Sequence, residues 1–84
     1  MTDYPKVEVL WFDANTESGW VSQETAQELQ LQICRSLGYL IVKDEIRTVI
    51  VQSLQEGNTD VGDAICIPTS CIEEISYEAF KKQN

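Results

Sequence analysis

The chain contains no histidine. That absence removes the side chain whose proton exchange is centred near neutral pH, and with it Ser-His-Asp and Cys-His nucleophiles. Neither a G-x-x-x-x-G-K-[ST] loop nor a G-x-G-x-x-G run occurs, so the common glycine-rich phosphate cradles are missing too. Long apolar runs are lacking. Those present, such as Leu40 to Val42 and Val49 to Val51, fall far short of the ~20 residues that span a bilayer. The N-terminus, Met-Thr-Asp-Tyr-Pro-Lys, has no basic stretch followed by an apolar one, so no secretion signal is expected and a cytoplasmic location follows. Basic residues are scarce: six stand against 14 acidic ones, for a formal charge of −8. Binding to bare nucleic acid draws on Lys and Arg, so direct contact with nucleic acid is not expected, nor with a membrane. The same charge keeps a small protein soluble and can steer it to a basic protein surface.

What is present suits one small domain covering residues 1–84. Hydrophobic residues make up 43%, as in an ordinary globular chain. At this length roughly 60–65% of the unfolded surface can be buried, enough for one marginal core. Cys34, Cys66 and Cys71 are odd in number, which predicts reduced thiols. Cys66 and Cys71 stand in Ile-Cys-Ile-Pro-Thr-Ser-Cys-Ile and are expected as small core residues. Their C-x4-C spacing, without a second pair or a histidine, is not a zinc site. Glu56-Gly-Asn-Thr-Asp60-Val-Gly-Asp63 alternates oxygen donors with glycine, but lacks the register and closing glutamate of an EF-hand. A solvated hairpin tip is expected there. No cofactor, metal ligand or catalytic residue is identified, and so short a chain leaves little room for both a core and a substrate cleft. An enzyme is not expected.

Along the chain, Lys6 to Phe12 puts Val7, Val9 and Trp11 on one face and Glu8, Leu10 and Phe12 on the other, a strand with both faces partly covered. Asp13 to Gly19 reads as an exposed loop. Ser22 to Leu37 is ambiguous. Ala26, Leu29, Ile33 and Leu37 recur at helical spacing, yet Leu29-Gln-Leu31-Gln-Ile33 alternates as a half-buried strand does. A helical turn over 22–27 capped by Ser22, followed by a strand, satisfies both. Leu37 to Val42 and Arg47 to Ser53 flank the hairpin tip Lys43-Asp44-Glu45, with Gly38 suggesting a bulge or sharp bend. Ala64 to Ile67 reads as a short buried strand stopped by Pro68, and Ile72 to Ile75 begins the last strand. A short C-terminal helix over 76–83 ends the list. The class is mainly β, with five to six short antiparallel strands making a small barrel.

Ile67-Pro68-Thr-Ser-Cys71-Ile72-Glu-Glu-Ile75 resembles the end of an SH3-type barrel, in which a 3₁₀ turn begins at the proline and two apolar residues anchor the final strand. The resemblance implies an SH3-like barrel. Over most of its length the chain is also similar to a group of short phage-encoded proteins of unknown function. The shared outline is an early tryptophan strand (Val9-Leu-Trp11-Phe-Asp13), the Gly19-Trp20 pair, the Gly38-Tyr-Leu-Ile41 hairpin, an acidic loop, and the Ile-Pro…Ile ending. That likeness implies a phage or prophage accessory protein acting in the cytoplasm of a bacterial host. Peptide-binding SH3 domains use a groove of tyrosines and a tryptophan. Cys71 stands where a groove tyrosine would, and Trp20 lies in a different loop, so proline-rich peptide recognition does not carry over.

The functional expectation is a non-enzymatic interaction module that binds a host protein, inhibiting a host enzyme or defence system. Its partner-binding surface is expected at Asp13, Glu17, Trp20, Glu56, Asp60 and Asp63, because aromatic anchors ringed by charge dominate many interfaces. Trp20, next to a glycine at the end of a charged loop, is the best candidate for an exposed anchor among the aromatics, but in so small a domain a core position is favoured for it. The alternatives are a homo-oligomer that traps a small ligand between copies, using exposed strand edges, and a minor virion component.

Overall fold

The computed structural model describes residues 4–57 and 59–77. Five strands form one antiparallel sheet: β1 (Lys6–Asp13), β2 (Gln32–Lys43), β3 (Arg47–Leu54), β4 (Val61–Pro68) and β5 (Ile72–Ser76). Helix α1 (Gln23–Gln27) lies between β1 and β2, and a 3₁₀ turn, η1 (Thr69–Cys71), joins β4 to β5. The mainly β class and the helical turn after Ser22 are as the sequence predicts. The expected C-terminal helix falls mostly on residues outside the description.

Alternation explains β1. Val7 and Val9 are fully buried, and Trp11 packs beside them, while Glu8, Leu10 and Phe12 on the opposite face are half-buried. β2 is the element on which the rest turns. Its first part pairs with β1, from Gln32↔Asp13 to Tyr39↔Lys6, and its later part pairs with β3, from Tyr39↔Val51 to Lys43↔Thr48. The strand order is β4-β3-β2-β1-β5.

Distances show that this sheet is curled. Neighbouring strands lie about 4.8 Å apart, so in a flat sheet the outer strands β4 and β5 would be roughly 19 Å apart. Only η1 separates Pro68 from Ile72, a span of at most about 14 Å. The same curl brings Val7 and Val9 of β1, Ile50 of β3 and Ile67 of β4 into one buried cluster, with Trp11, Leu40, Ile72 and Ile75 against it. Each fully buried Val or Ile contributes about 1.5–3 kcal/mol. The expected barrel closure is not reached, since among the described residues no ladder joins β4 to β5.

Three further expectations change. The irregularity in the β2–β3 ladder falls between Leu40 and Val42 rather than at Gly38. Gly38 instead serves close approach: a Cβ there would lie 2.5 Å from the Val51 carbonyl oxygen. β4 is an edge strand and not a buried one, so of Ala64, Ile65, Cys66 and Ile67 only Ile67 is buried. Cys66 is therefore exposed, Cys34 and Cys71 are half-buried, and all three are free thiols.

The turn between β2 and β3 is stitched to η1. Thr69 N donates to Ile46 O (3.0 Å), and Thr69 Oγ1 donates to Asp44 O (2.8 Å). The Thr69 proton being used there, the buried Thr48 hydroxyl donates to Thr69 Oγ1 (3.0 Å). Inside the turn, Asp44 Oδ1 accepts from the backbone of Ile46 (2.9 Å) and Arg47 (2.8 Å). The Arg47 and Ile46 N–H groups, in that order, hold the Asp44 carboxyl below its usual value of 3.8, assisted by the Arg47 guanidinium.

Candidate partner-binding surface

Every residue from Asp13 to Ile33 is exposed. This segment leaves the sheet at the end of β1 and returns at the start of β2, so it forms an arm rooted on the Asp13↔Gln32 and Phe12↔Ile33 pairs. Its order comes from local polar contacts. Asp13 and Asn15 side chains accept from the next residue's backbone N–H, at 2.8 and 3.0 Å, and Asn15 Nδ2 donates to Gln30 O across the two legs (3.2 Å). Ser22 caps α1, its Oγ accepting from Thr25 N at 3.1 Å. The helix stops after one turn because it buries nothing, and a single turn without packing does not propagate.

The arm's apolar residues are uncovered. Trp20 is 102% exposed, Leu31 63% and Ile33 60%, with Val21 and Leu29 also exposed. A core position for Trp20 is thus corrected, and the alternating Leu29-Leu31-Ile33 run does not make a half-buried strand. Alternation reports which side chains share a face; it does not supply the layer that would cover them. Gly19, at φ 75°, takes the left-handed turn immediately before Trp20 and has nothing within 4 Å of where its Cβ would be, leaving the indole clear of the sheet. The stripe continues onto the sheet's outer face at Leu37, which is also exposed. There Arg35 pairs with Glu8 across β1 and β2 at 2.6 Å.

The six residues expected at the surface are distributed over three places. Asp13, Glu17 and Trp20 belong to the arm, and Glu56 and Asp60 to the β3–β4 connection, which Gln55 N closes by donating to Asp60 O at 3.4 Å. Asp63 is in β4, at φ 56°, a left-handed conformation that Asp tolerates better than most residues. It faces a cleft of about 390 Å³ that it shares with Arg35 and Ser36 of β2, Ile50 and Gln52 of β3, and Ile65. All six are exposed. Missing from that set are Leu29, Leu31 and Ile33, whose alternation was the available signal, and Glu24 and Glu28, which α1 and its C-cap carry.

No family model matches the chain, and neither the curated proteins nor the solved structures contain a match to it.

Proposed function

We propose that this chain is a non-enzymatic interaction module, of the phage or prophage accessory kind, that binds a bacterial host protein and thereby inhibits a host enzyme or defence system. The observation that carries the reading is the arm: an ordered segment from Asp13 to Ile33 in which Trp20, Val21, Leu29, Leu31 and Ile33 are all uncovered. A soluble chain scatters single apolar residues over its surface, whereas several left uncovered on one segment mark a contact surface. The module reading treats the curled sheet as an SH3-like scaffold. Its support is the strand order with β1 between β2 and β5, and the 3₁₀ turn capped by Pro68 ahead of the last strand.

The test is a titration of the captured host protein against charge-reversed variants. Reversal at Asp13 and Glu17 is expected to abolish binding. Reversal at Asp60 and Asp63, made separately, is expected to weaken it, since these acids flank the scaffold and lie outside the arm. Unchanged affinity in both pairs would sink the reading.

One observation favours self-association as a second reading. Among the described residues the outer edge of β4 has no partner strand, and it carries exposed Val61, Ala64, Ile65 and Cys66 with only Asp63 and Pro68 to blunt it. Sedimentation at high concentration separates the two: a strictly monomeric mass removes it.

A further inference from the structure

The arm's charge and shape narrow what can cover it. From Val7 to Cys34 there is no Lys or Arg, while Asp13, Glu17, Glu24 and Glu28 are all acidic and exposed. Trp20 stands between the two acidic pairs, three residues after Glu17 and four before Glu24. Glu24 and Glu28 are one helical turn apart and so share a face.

A second copy is a poor occupant. It brings the same carboxylates and a formal charge of −8. Among the described residues its bases are Lys6, Arg35, Lys43 and Arg47, two of which are already paired, Arg35 with Glu8 and Arg47 with Asp44. A bilayer surface, itself anionic, repels the arm for the same reason. The complementary surface is a groove lined with Lys and Arg that also offers a flat apolar or aromatic platform. Grooves that hold nucleic acid are built that way, with a positive track for phosphates and aromatic platforms on which bases stack.

We infer that the arm docks in the nucleic-acid-binding groove of its partner protein, its carboxylates taking the places of phosphates and the Trp20 indole that of a stacked base. This rests on the arm being the docking surface proposed above and adds the class of partner.

The experiment offers the immobilised protein the heparin-binding fraction of a nuclease-treated bacterial extract, then challenges what is retained with short single-stranded DNA, short duplex DNA and rising salt. Release by DNA at low salt is expected, because both ligands claim one groove. Trp20→Ala is expected to weaken retention about 30-fold or more, and the double variant Glu24→Lys, Glu28→Lys to abolish it. Trp20→Ala should melt with the parent, since no arm side chain is buried, and the double variant should melt no lower than the parent, since it also reduces the net negative charge. Retention that depends on Trp20 but survives excess DNA would overturn the nucleic-acid groove and leave the docking arm standing. Absence of retention, or retention indifferent to Trp20→Ala, would overturn both. A dimer in sedimentation, with an emission blue shift lost in Trp20→Ala, would assign the arm to a second copy and likewise overturn the inference.

Discussion

Gly38 shows how one residue sets how closely two strands can approach. On the inward face of β2, opposite Val7, it is pressed by β3: an added Cβ would be 2.5 Å from the Val51 oxygen and 3.2 Å from the Val51 carbonyl carbon. Those are backbone atoms, so relief requires β2 and β3 to move apart. Gly38→Ala is expected to destabilise the domain by about 1–3 kcal/mol, in the range of overpacked cores, and to lower Tm by several degrees, read from urea and thermal unfolding. Unchanged stability would mean that the two strands are not held at this separation. The glycine was visible in the sequence, where it suggests a bulge or sharp bend. The residue that crowds it lies thirteen positions away, so its reason for being there was not. Trp11 and Trp20 make the same point. Trp11 packs against the core and donates from Nε1 to Ser36 Oγ at 3.0 Å, whereas Trp20 touches nothing that buries it. Composition treats them alike, and only their neighbours distinguish them.

At the scale of elements, the β2–β3 turn is tied both within itself and to η1, and it is pH-sensitive. Asp44 accepts two backbone bonds and lies beside the Arg47 guanidinium, with Nε to Oδ2 at 3.5 Å. Its folded-state pKa is depressed, so its contribution is fully present above the unfolded value of 3.8 and is lost as pH falls through the lower folded value. Acidification into that window should speed amide exchange at Ile46 and Arg47 before the β1–β2 ladder responds. Asp44→Asn, which keeps an oxygen acceptor but no charge, should remove most of that pH dependence. Uniform exchange across the sheet would contradict a local role. The hairpin itself was legible from the β-branched runs on either side of Lys43-Asp44-Glu45. Its stitching to η1 through Thr48 and Thr69 was not, because the two threonines meet only after β4 has crossed beside β3.

For the molecule as a whole, charge and shape work against each other. A formal charge of −8 on 84 residues repels itself more when compact than when unfolded. Raising salt from about 10 to about 150 mM shortens the screening length from about 30 to about 8 Å and should raise Tm by roughly 2–6 °C. A fall in Tm on adding salt would mean that attractive pairs such as Arg35–Glu8 outweigh the repulsion. The same screening should weaken any complex made by the arm, so stability and affinity are expected to respond to salt with opposite signs. The arm accounts for that split: its carboxylates contribute to the net charge and to a charge-complementary contact while packing against nothing in the fold.

Local pattern alone determined the mainly β class, the strand at Val7 to Trp11, the helical turn after Ser22 and the hairpin around Lys43 to Glu45, whereas the 3₁₀ turn between Pro68 and Ile72 was implied by the resemblance to SH3-type barrels. The locally determined elements follow from side-chain alternation, β-branched runs or a capping serine, features that act over a few residues. Only the tertiary structure decided that the sheet stops short of a closed barrel, that β4 is an edge, and that Trp20, Leu31 and Ile33 are left uncovered. Alternation places side chains on a face, but whether that face is inside depends on what other strands bring to it. In a sheet that curls through β2, the layer that would have covered the arm is absent from the rest of the described chain.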